Sequence, residues 1–284
     1  SAAIFNTLRD TFMAAPKPSP ISLARRVGLT RLHELIKLRS HQTLWDSLGG
    51  YFEDPRLRQL FGRYATYVGS SPLLTPATLM LITHAEQAGV WMLPDGMSSL
   101  AAAVQGLAEH NGASFHFDTE VAGITTHRGR ASGVKLTTGE HLPADAVIFN
   151  GDQNALACGV MGDDVVDATR KNHTDNRGLS AVTWCLMANV GDFPLSYHNV
   201  FFDEDYPEEF NAIFSRQRLP VRPTVYICAQ DRLGDQRPTG PERLLVLITA
   251  PANGDSKIWS DEDIRLAASN AEHVLAACGF SLDL

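Results

Sequence analysis

The sequence predicts an α+β / α/β fold: part of a nucleotide-binding domain beside a second domain with a mixed sheet and flanking helices. Three observations predict it. Apolar residues recur at helical spacing through the first third of the chain. Residues 89–152 pass from a short strand through a helix into a series of strand-like runs. A second set of strand-like runs, between 179 and 250, is followed by an amphipathic helix.

Composition sets the bounds. The 284 residues suffice for one large domain or two small ones. Hydrophobic residues make up 44% and charged residues 20%, an ordinary globular balance. With 24 Lys and Arg against 32 Asp and Glu, the formal charge is −8. That sign repels phosphate backbones, so no nucleic acid is expected as a partner. The basic density of Arg25, Arg26, Arg31, Lys37 and Arg39 reads as the solvated face of a helix. Cys158, Cys185, Cys228 and Cys278 form no CxxC pair, which excludes a zinc knuckle. Free thiols in a reducing, cytoplasmic compartment are expected, with Cys185 and Cys228 acting as small hydrophobes in strands. No apolar run reaches the roughly 18–20 residues of a membrane span.

Phe5, Leu8 and Phe12 share a helical face until Pro16, Pro18 and Pro20 interrupt it. Leu23, Val27, Leu32, Leu35, Ile36 and Leu38 suggest two short helices parted at Gly28-Leu29-Thr30. Residues 43–52 add a turn or two. Asp54-Pro55 is a cap followed by a first-position proline, opening a helix that carries Leu57, Leu60, Phe61 and Tyr64. Residues 64–72 read as a small-residue loop, and Pro76 opens a helix with Leu79, Met80, Ile82 and Thr83.

From Val90 the character changes. Val90-Trp91-Met92 is a strand candidate and Pro94-Asp95-Gly96 a turn. Ser98 is placed to cap a helix whose apolar face is Leu100, Val104, Leu107 and Ala108, ended by Asn111-Gly112. Strands are expected at 114–117, 121–124, 133–137 and 145–149, with hairpin joints at 128–130 and 138–140. The apolar run 146–149 reads as a buried central strand. Helix returns at 153–161 and about 163–171, where Asp163-Asp164 reads as a cap. Strands follow at 179–190, 200–202, 224–230 and 244–250, with a short helix at 208–214. Ser260-Asp261-Glu262 starts a last helix carrying Ile264, Leu266, Ala267, Ala271, Val274 and Leu275.

Residues for chemistry are scarce. The sequence holds no GxSxG elbow, HExxH, GxGxxG or Walker loop. The ten histidines form no metal-ligand pattern, and no metal site is expected. His84, near Glu86, reads as a packed or surface histidine, and Asp203-Glu204-Asp205 as an exposed turn rather than a cation site. Met80, Met92 and Met97 read as core fillers. An enzyme built this way takes its chemistry from a cofactor and contributes a shaped apolar pocket. The aromatics around Tyr64 and Tyr67 suit a hydrophobic substrate, and equally a core.

Several stretches become specific as an ordered set. They are Arg63-Tyr64-Ala65-Thr66-Tyr67-Val68-Gly69-Ser70-Ser71-Pro72 with Pro76-Ala77-Thr78-Leu79, then Gly89-Val90-Trp91 through Gly96-Met97 and Leu100. Tyr197-His198-Asn199-Val200-Phe201-Phe202 with Tyr206, Glu209 and Phe210, and Leu219-Pro220 with Pro223-Thr224-Val225-Tyr226-Ile227, complete it. The set resembles the carotenoid desaturase (phytoene-desaturase-like) family of amine-oxidase-like flavoproteins. Asp95 is a departure, standing where the family's turn has its first glycine. Within the family, residues 228–232, 240–245 and 250–251 look most like desaturases of 1-hydroxy or 1-methoxy acyclic carotenoids. The resemblance covers nearly the whole chain.

The resemblance implies a partial FAD-binding domain at 87–155, with a substrate domain whose helical part is 1–86 and whose sheet and helices are 156–284. The family's GxGxxG segment and C-terminal FAD segment are not in this sequence, so the chain is expected to be a middle piece that neither holds FAD tightly nor turns over alone. It places the Val121 backbone at the adenine edge and Asn150, Gly151 and Asp152 toward the cofactor, in keeping with ligands lying beyond the carboxyl ends of strands. Tyr64, Tyr67 and Trp91 would surround a hydrophobic polyene, and no catalytic residue is assigned. The implied reaction introduces a C3–C4 double bond with hydride transfer to the flavin. Peripheral association with the inner membrane is expected from the substrate's insolubility. Two alternatives stand beside this: a non-catalytic apolar-ligand or membrane-surface binding domain, and another flavoprotein of the group, such as a carotene isomerase or a retinol saturase-like enzyme.

Overall fold

A computed structural model describes residues 1–9, 13, 41–169, 177–232, 234 and 237–282. The expectations for Phe12, the prolines 16–20, the apolar residues of 23–38 and the basic residues of 25–39 lie outside the described residues. In chain order the helices are α1 (Ala2–Leu8), α2 (Leu44–Gly49), α3 (Pro55–Gly62), α4 (Leu81–Gln87), α5 (Met97–His110), α6 (Gln153–Ala157), α7 (Tyr206–Phe210) and α8 (Asp261–Ala277). The strands are β1 (Val121–His127), β2 (Arg130–Leu136), β3 (His141–Pro143), β4 (Leu179–Ala188), β5 (His198–Phe201), β6 (Val225–Ala229) and β7 (Glu242–Pro251). The chain divides into two compact units, one formed by Ser1–Trp91 with Gly178–Leu284, the other by Met92–Arg177.

In the first unit, local chemistry sets the helix starts. The Thr43 hydroxyl accepts from Asp46 N at 3.1 Å to cap α2, and the Asp54 carboxylate accepts from Arg56 N at 2.9 Å to cap α3, with Pro55 in the first turn. Where a small-residue loop is expected after α3, the chain continues into a 3₁₀ turn, Arg63–Val68. Gly69 ends that turn in the left-handed region (φ 65°) and its carbonyl accepts from Leu179 N at 2.7 Å. A second 3₁₀ turn, Ala77–Met80, follows Pro76 and leads into α4. Leu44, Leu48 and Ala65 form a small core with Phe52, Phe61, Leu79 and Met80 around it.

The sheet of this unit has the order β4-β7-β6-β5, and every pairing is antiparallel. The α+β class stands, but the expected mixed sheet is corrected: among the described residues β4, β5, β6 and β7 pair only with antiparallel neighbours, the pattern that needs no crossover helix. Val182, Trp184 and Leu186 of β4 share a face with Leu244, Val246 and Ile248 of β7 and with Val225, Ile227 and Ala229 of β6. Ala267, Ala271, Val274 and Leu275 of α8, with Phe280, cover that face. Each buried Val, Leu, Ile or Phe side chain of this layer stabilises by about 1.5–3 kcal/mol, and the alanines let α8 approach the sheet closely. Ser260 and Asp263 close a reciprocal capping box that starts α8.

The second unit holds α5, a three-stranded sheet and α6. Arg128 (φ 51°) and Gly129 (φ 74°) make a two-residue hairpin turn between β1 and β2, at the expected joint. The next hairpin also lies where expected, but its partner strand is His141–Pro143. The run 146–149 is not a strand, and Ile148 is 95% exposed. Its composition favours a strand, but a strand exists through a ladder partner, and the described residues supply none. The same correction applies to Val90–Met92 and Ser114–Phe117, which are not strands. Gly96, not Ser98, caps α5; the Ser98 hydroxyl donates back to the Asp95 carbonyl at 3.3 Å. The α5 stripe of Leu100, Val104 and Leu107 is exposed. Asp163 and Asp164 lie in the first turn of the 3₁₀ segment Asp163–Ala168, preceded by Gly162. That segment leans on β1, with Ile124 N donating to the Met161 carbonyl and the Thr126 hydroxyl donating to Asp164, both at 2.9 Å.

Among the described residues, no helix is long and apolar enough to cross a membrane.

Candidate functional site

Opposed residues of antiparallel strands share a face. On the sheet face turned away from α8, the registers therefore align two rows. One is Cys185–Leu245–Cys228–His198 and the other is Thr183–Leu247–Tyr226–Val200. Three inter-strand gaps make each row about 14 Å long. Neither row carries a carboxylate, lysine or arginine. Thr183, Cys185 and the adjacent Met187 are exposed, and Leu245, Leu247, Tyr226 and Val200 are partly so, while Cys228 is buried. Cys185 is thus not the interior residue that its apolar strand suggested.

The two sides of this strip are closed differently. On one side the next position is Thr249, opposite Ala181. There α7 covers the face, and the buried Glu209 accepts hydrogen bonds from the Thr224 and Thr249 hydroxyls. On the other side lies Arg243, opposite Met187, with its Nε donating to Asp231 Oδ1 at 2.9 Å. At the β5 edge, His198 Nδ1 and the Tyr226 hydroxyl are 2.7 Å apart, and the Tyr197 ring meets His198 edge-on at 4.7 Å. Burial, and then the Cys228 thiol, push the Tyr226 hydroxyl upward.

Glu209 is the buried carboxyl among the described residues of this region. Burial holds its carboxyl above the ordinary glutamate range, against the opposing pull of the two threonine hydroxyls. The folded state therefore favours the protonated form. That contribution is complete below the unfolded glutamate value and is lost as pH rises through the raised folded value. Glu209→Gln, a neutral isostere, is expected to flatten the fall. Urea midpoints of both proteins from about pH 4 to pH 8 check this, and equal slopes would contradict it.

The sequence-named pocket residues separate. Tyr64 and Tyr67 come together, with ring centroids 5.6 Å apart and near-perpendicular planes, in a series continued by Phe61 and Phe52. Both hydroxyls donate to Glu86 on α4, Tyr67 at 3.3 Å and Tyr64 at shorter range. Burial first, and Glu86 second, push the Tyr64 hydroxyl up to about 12. Trp91 is 83% exposed, sits against Gly89 and makes no ring contact with the two tyrosines. His84 packs edge-on against Phe5 at 5.0 Å. Asp203 pairs with Arg222 at 2.6 Å, and Asp205 caps α7, so both serve the fold. Among the described residues no group of His, Cys, Asp or Glu is placed to hold a metal.

Of the cofactor candidates, Val121 opens β1 and is half-buried. Asn150 and Gly151 are exposed, and a side chain at Gly151 would collide with the Phe149 ring. Asp152 caps α6 through Asn154 N at 2.9 Å and pairs with Arg177 at 3.3 Å. These are backbone groups, an amide and a carboxylate. They suit a base edge or a sugar hydroxyl, whereas a pyrophosphate needs a glycine turn at a helix N-terminus.

Residue spacing alone does not reveal the His198–Tyr226 pair or the Cys185, Leu245 and Leu247 strip. The available signal is that β4 and β7 are apolar or small on both faces, although α8 covers one.

The sequence matches the family described as flavin containing amine oxidoreductase over residues 11–270. It is 41% identical over 281 residues to a hydroxyneurosporene desaturase of Rubrivivax gelatinosus, an alignment covering 99% of this chain and 54% of that protein. It is 43% identical over 283 residues to a hydroxyneurosporene desaturase of Cereibacter sphaeroides, covering 100% of this chain and 56% of that protein. Similarity extends to a 1-hydroxycarotenoid 3,4-desaturase of a Flavobacterium strain, 35% identical over 204 residues, covering 71% of this chain and 41% of that protein. The chain spans about half the length of the curated relatives it matches.

Proposed function

This chain belongs to the flavin containing amine oxidoreductase family, and from that premise we propose that it forms part of an FAD-dependent desaturase of acyclic carotenoids bearing a 1-hydroxy or 1-methoxy end. The observation that carries the reading is the open, uncharged strip on the sheet of the first unit. A polyene is apolar and flat, and a strip of small and aliphatic side chains about 14 Å long offers a floor to one end segment of it. A cavity of about 300 Å³ between α8 and the other face is a weaker candidate, at the lower limit of ligand pockets.

The reaction removes a hydride and a proton from C3 and C4 to leave a double bond, and bound FAD supplies the two-electron acceptor. This chain's residues contribute binding and alignment. Leu245, Leu247 and Val200 exclude water beneath the polyene. Tyr64 and Tyr67, fixed by Glu86, present aromatic edges at its flank. Val121 and Asn150–Asp152 are proposed to meet the nucleoside end of the cofactor, on the unit that spans Met92–Arg177. The uncovered α5 stripe and the 146–149 run would pack against the rest of such a fold. Attachment to the surface of the inner membrane would shorten the path of an insoluble substrate.

The test is the whole gene product, supplied with FAD and a 1-hydroxylated acyclic polyene. The expected product has lost two hydrogens at C3–C4, with the longer-wavelength absorption of one more conjugated double bond. Recovery of unchanged polyene, or of a geometric isomer of the same mass, would remove this reading.

A further inference from the structure

We propose that the His198–Tyr226 pair, at the β5 edge of the open strip, receives the oxygen-bearing end of the polyene and sets the preference for a hydroxylated chain over the plain hydrocarbon. The inference rests on the reading of that strip as the polyene floor.

The pair stands on the same face as the strip, because His198 opposes Cys228, which in turn opposes Leu245. It is oriented in advance. The His198 and Tyr226 rings lie 27° from parallel at 5.9 Å, their polar atoms are 2.7 Å apart, and Tyr197 buttresses His198 from the side. With the imidazole proton on Nε2, Tyr226 donates to Nδ1 and its oxygen keeps lone pairs for an incoming hydroxyl. His198 is exposed, and among the described residues its ring makes no hydrogen bond besides the one to Tyr226. Its Nε2–H is therefore free to donate to a hydroxyl or a methoxy oxygen. The pair thus offers a donor and an acceptor together.

A hydrocarbon end laid over the same place would strip water from both groups and return nothing. Sites built to hydrogen-bond a hydroxyl reject the analogue lacking it for that reason. The opposite end of the strip offers Thr183, a single rotatable hydroxyl with no oriented partner among the described residues. Both β5 and β4 are edge strands, so edge placement suits a polar terminus at either end, and the oriented pair rather than the edge selects β5. The relatives named for hydroxyneurosporene act on a chain of this chemical kind.

The experiment titrates the 284-residue chain in detergent with a 1-hydroxylated acyclic polyene and with the hydrocarbon of equal length, following tryptophan quenching. The wild-type chain is expected to prefer the hydroxylated polyene by roughly tenfold, the worth of one or two hydrogen bonds. Tyr226→Phe and His198→Phe are each expected to bring the two affinities within about twofold, by weakening the hydroxylated polyene alone. His198→Gln, which retains a donor and an acceptor, is expected to keep part of the preference. A wild-type chain that binds both polyenes equally overturns the proposal. So do phenylalanine variants that keep the full preference, or that lose both ligands alike. A wild-type chain that binds neither polyene removes the floor reading, an outcome distinct from equal binding.

Discussion

Arg232→Met is expected to destabilise the unit that holds the four-stranded sheet by about 3–5 kcal/mol, the usual cost of leaving one member of a buried ion pair alone. Arg232 and Glu242 are 5% and 2% exposed. The guanidinium grips the carboxylate with two bonds of 2.7 Å, and its remaining nitrogen donates to the Leu195 carbonyl at 2.9 Å. Removing it strands a carboxylate and a carbonyl away from water. The loss would also loosen the 193–195 segment, whose Phe193 ring meets Phe280 at 4.7 Å and Phe201 at 5.8 Å over the core face. Lysine should not rescue, because an ammonium is a point charge and cannot form the fork. Arg232→Met combined with Glu242→Leu should recover most of the loss, since it removes the charge pair as a whole. Urea unfolding followed by far-ultraviolet circular dichroism checks the series. A single-variant loss below about 1 kcal/mol would contradict it.

Much of this fold was legible from residue order. Asp54-Pro55, the Ser260 cap and the Arg128-Gly129 turn are local devices, and each acts where it is written, although the reciprocal partner of Ser260 is Asp263 rather than Asp261 or Glu262. The strands β4, β6 and β7 were legible because long apolar runs bounded by turn residues have few other solutions. The failures share one cause, which is that burial depends on a partner. Ala146–Phe149 looks like a central strand and Leu100, Val104 and Leu107 look like a buried stripe, yet no described residue pairs with the first or covers the second. The candidate site was less legible. Tyr64 and Tyr67 are neighbours on one turn, and their aromatic character marked them. Their fixing partner Glu86 is distant in sequence. His198 and Tyr226 are separated by 28 residues and meet only through the β5–β6 register. Nor does composition say which face of β4 is open, because Cys185 and Met187 resemble Val182 and Leu186 until α8 is placed.

Leu247→Asp is expected to weaken polyene binding by roughly 30- to 100-fold, because an unpaired carboxylate would lie beneath an apolar chain. Leu247 is half-buried at the middle of the strip, opposite Thr183 and Tyr226 and away from α8, so the core face should be unaffected. The strip carries its own reporter. Cys185 is exposed on it, while the exposed Cys158 and Cys278 lie on other elements. The deciding measurement is the alkylation rate of Cys185 relative to Cys158 and Cys278, with and without a saturating 1-hydroxylated polyene. The floor assignment predicts that the polyene slows Cys185 alone in the wild-type chain, and that Leu247→Asp abolishes this protection. A Cys185 that reacts at the same rate with and without polyene in the wild-type chain would contradict it.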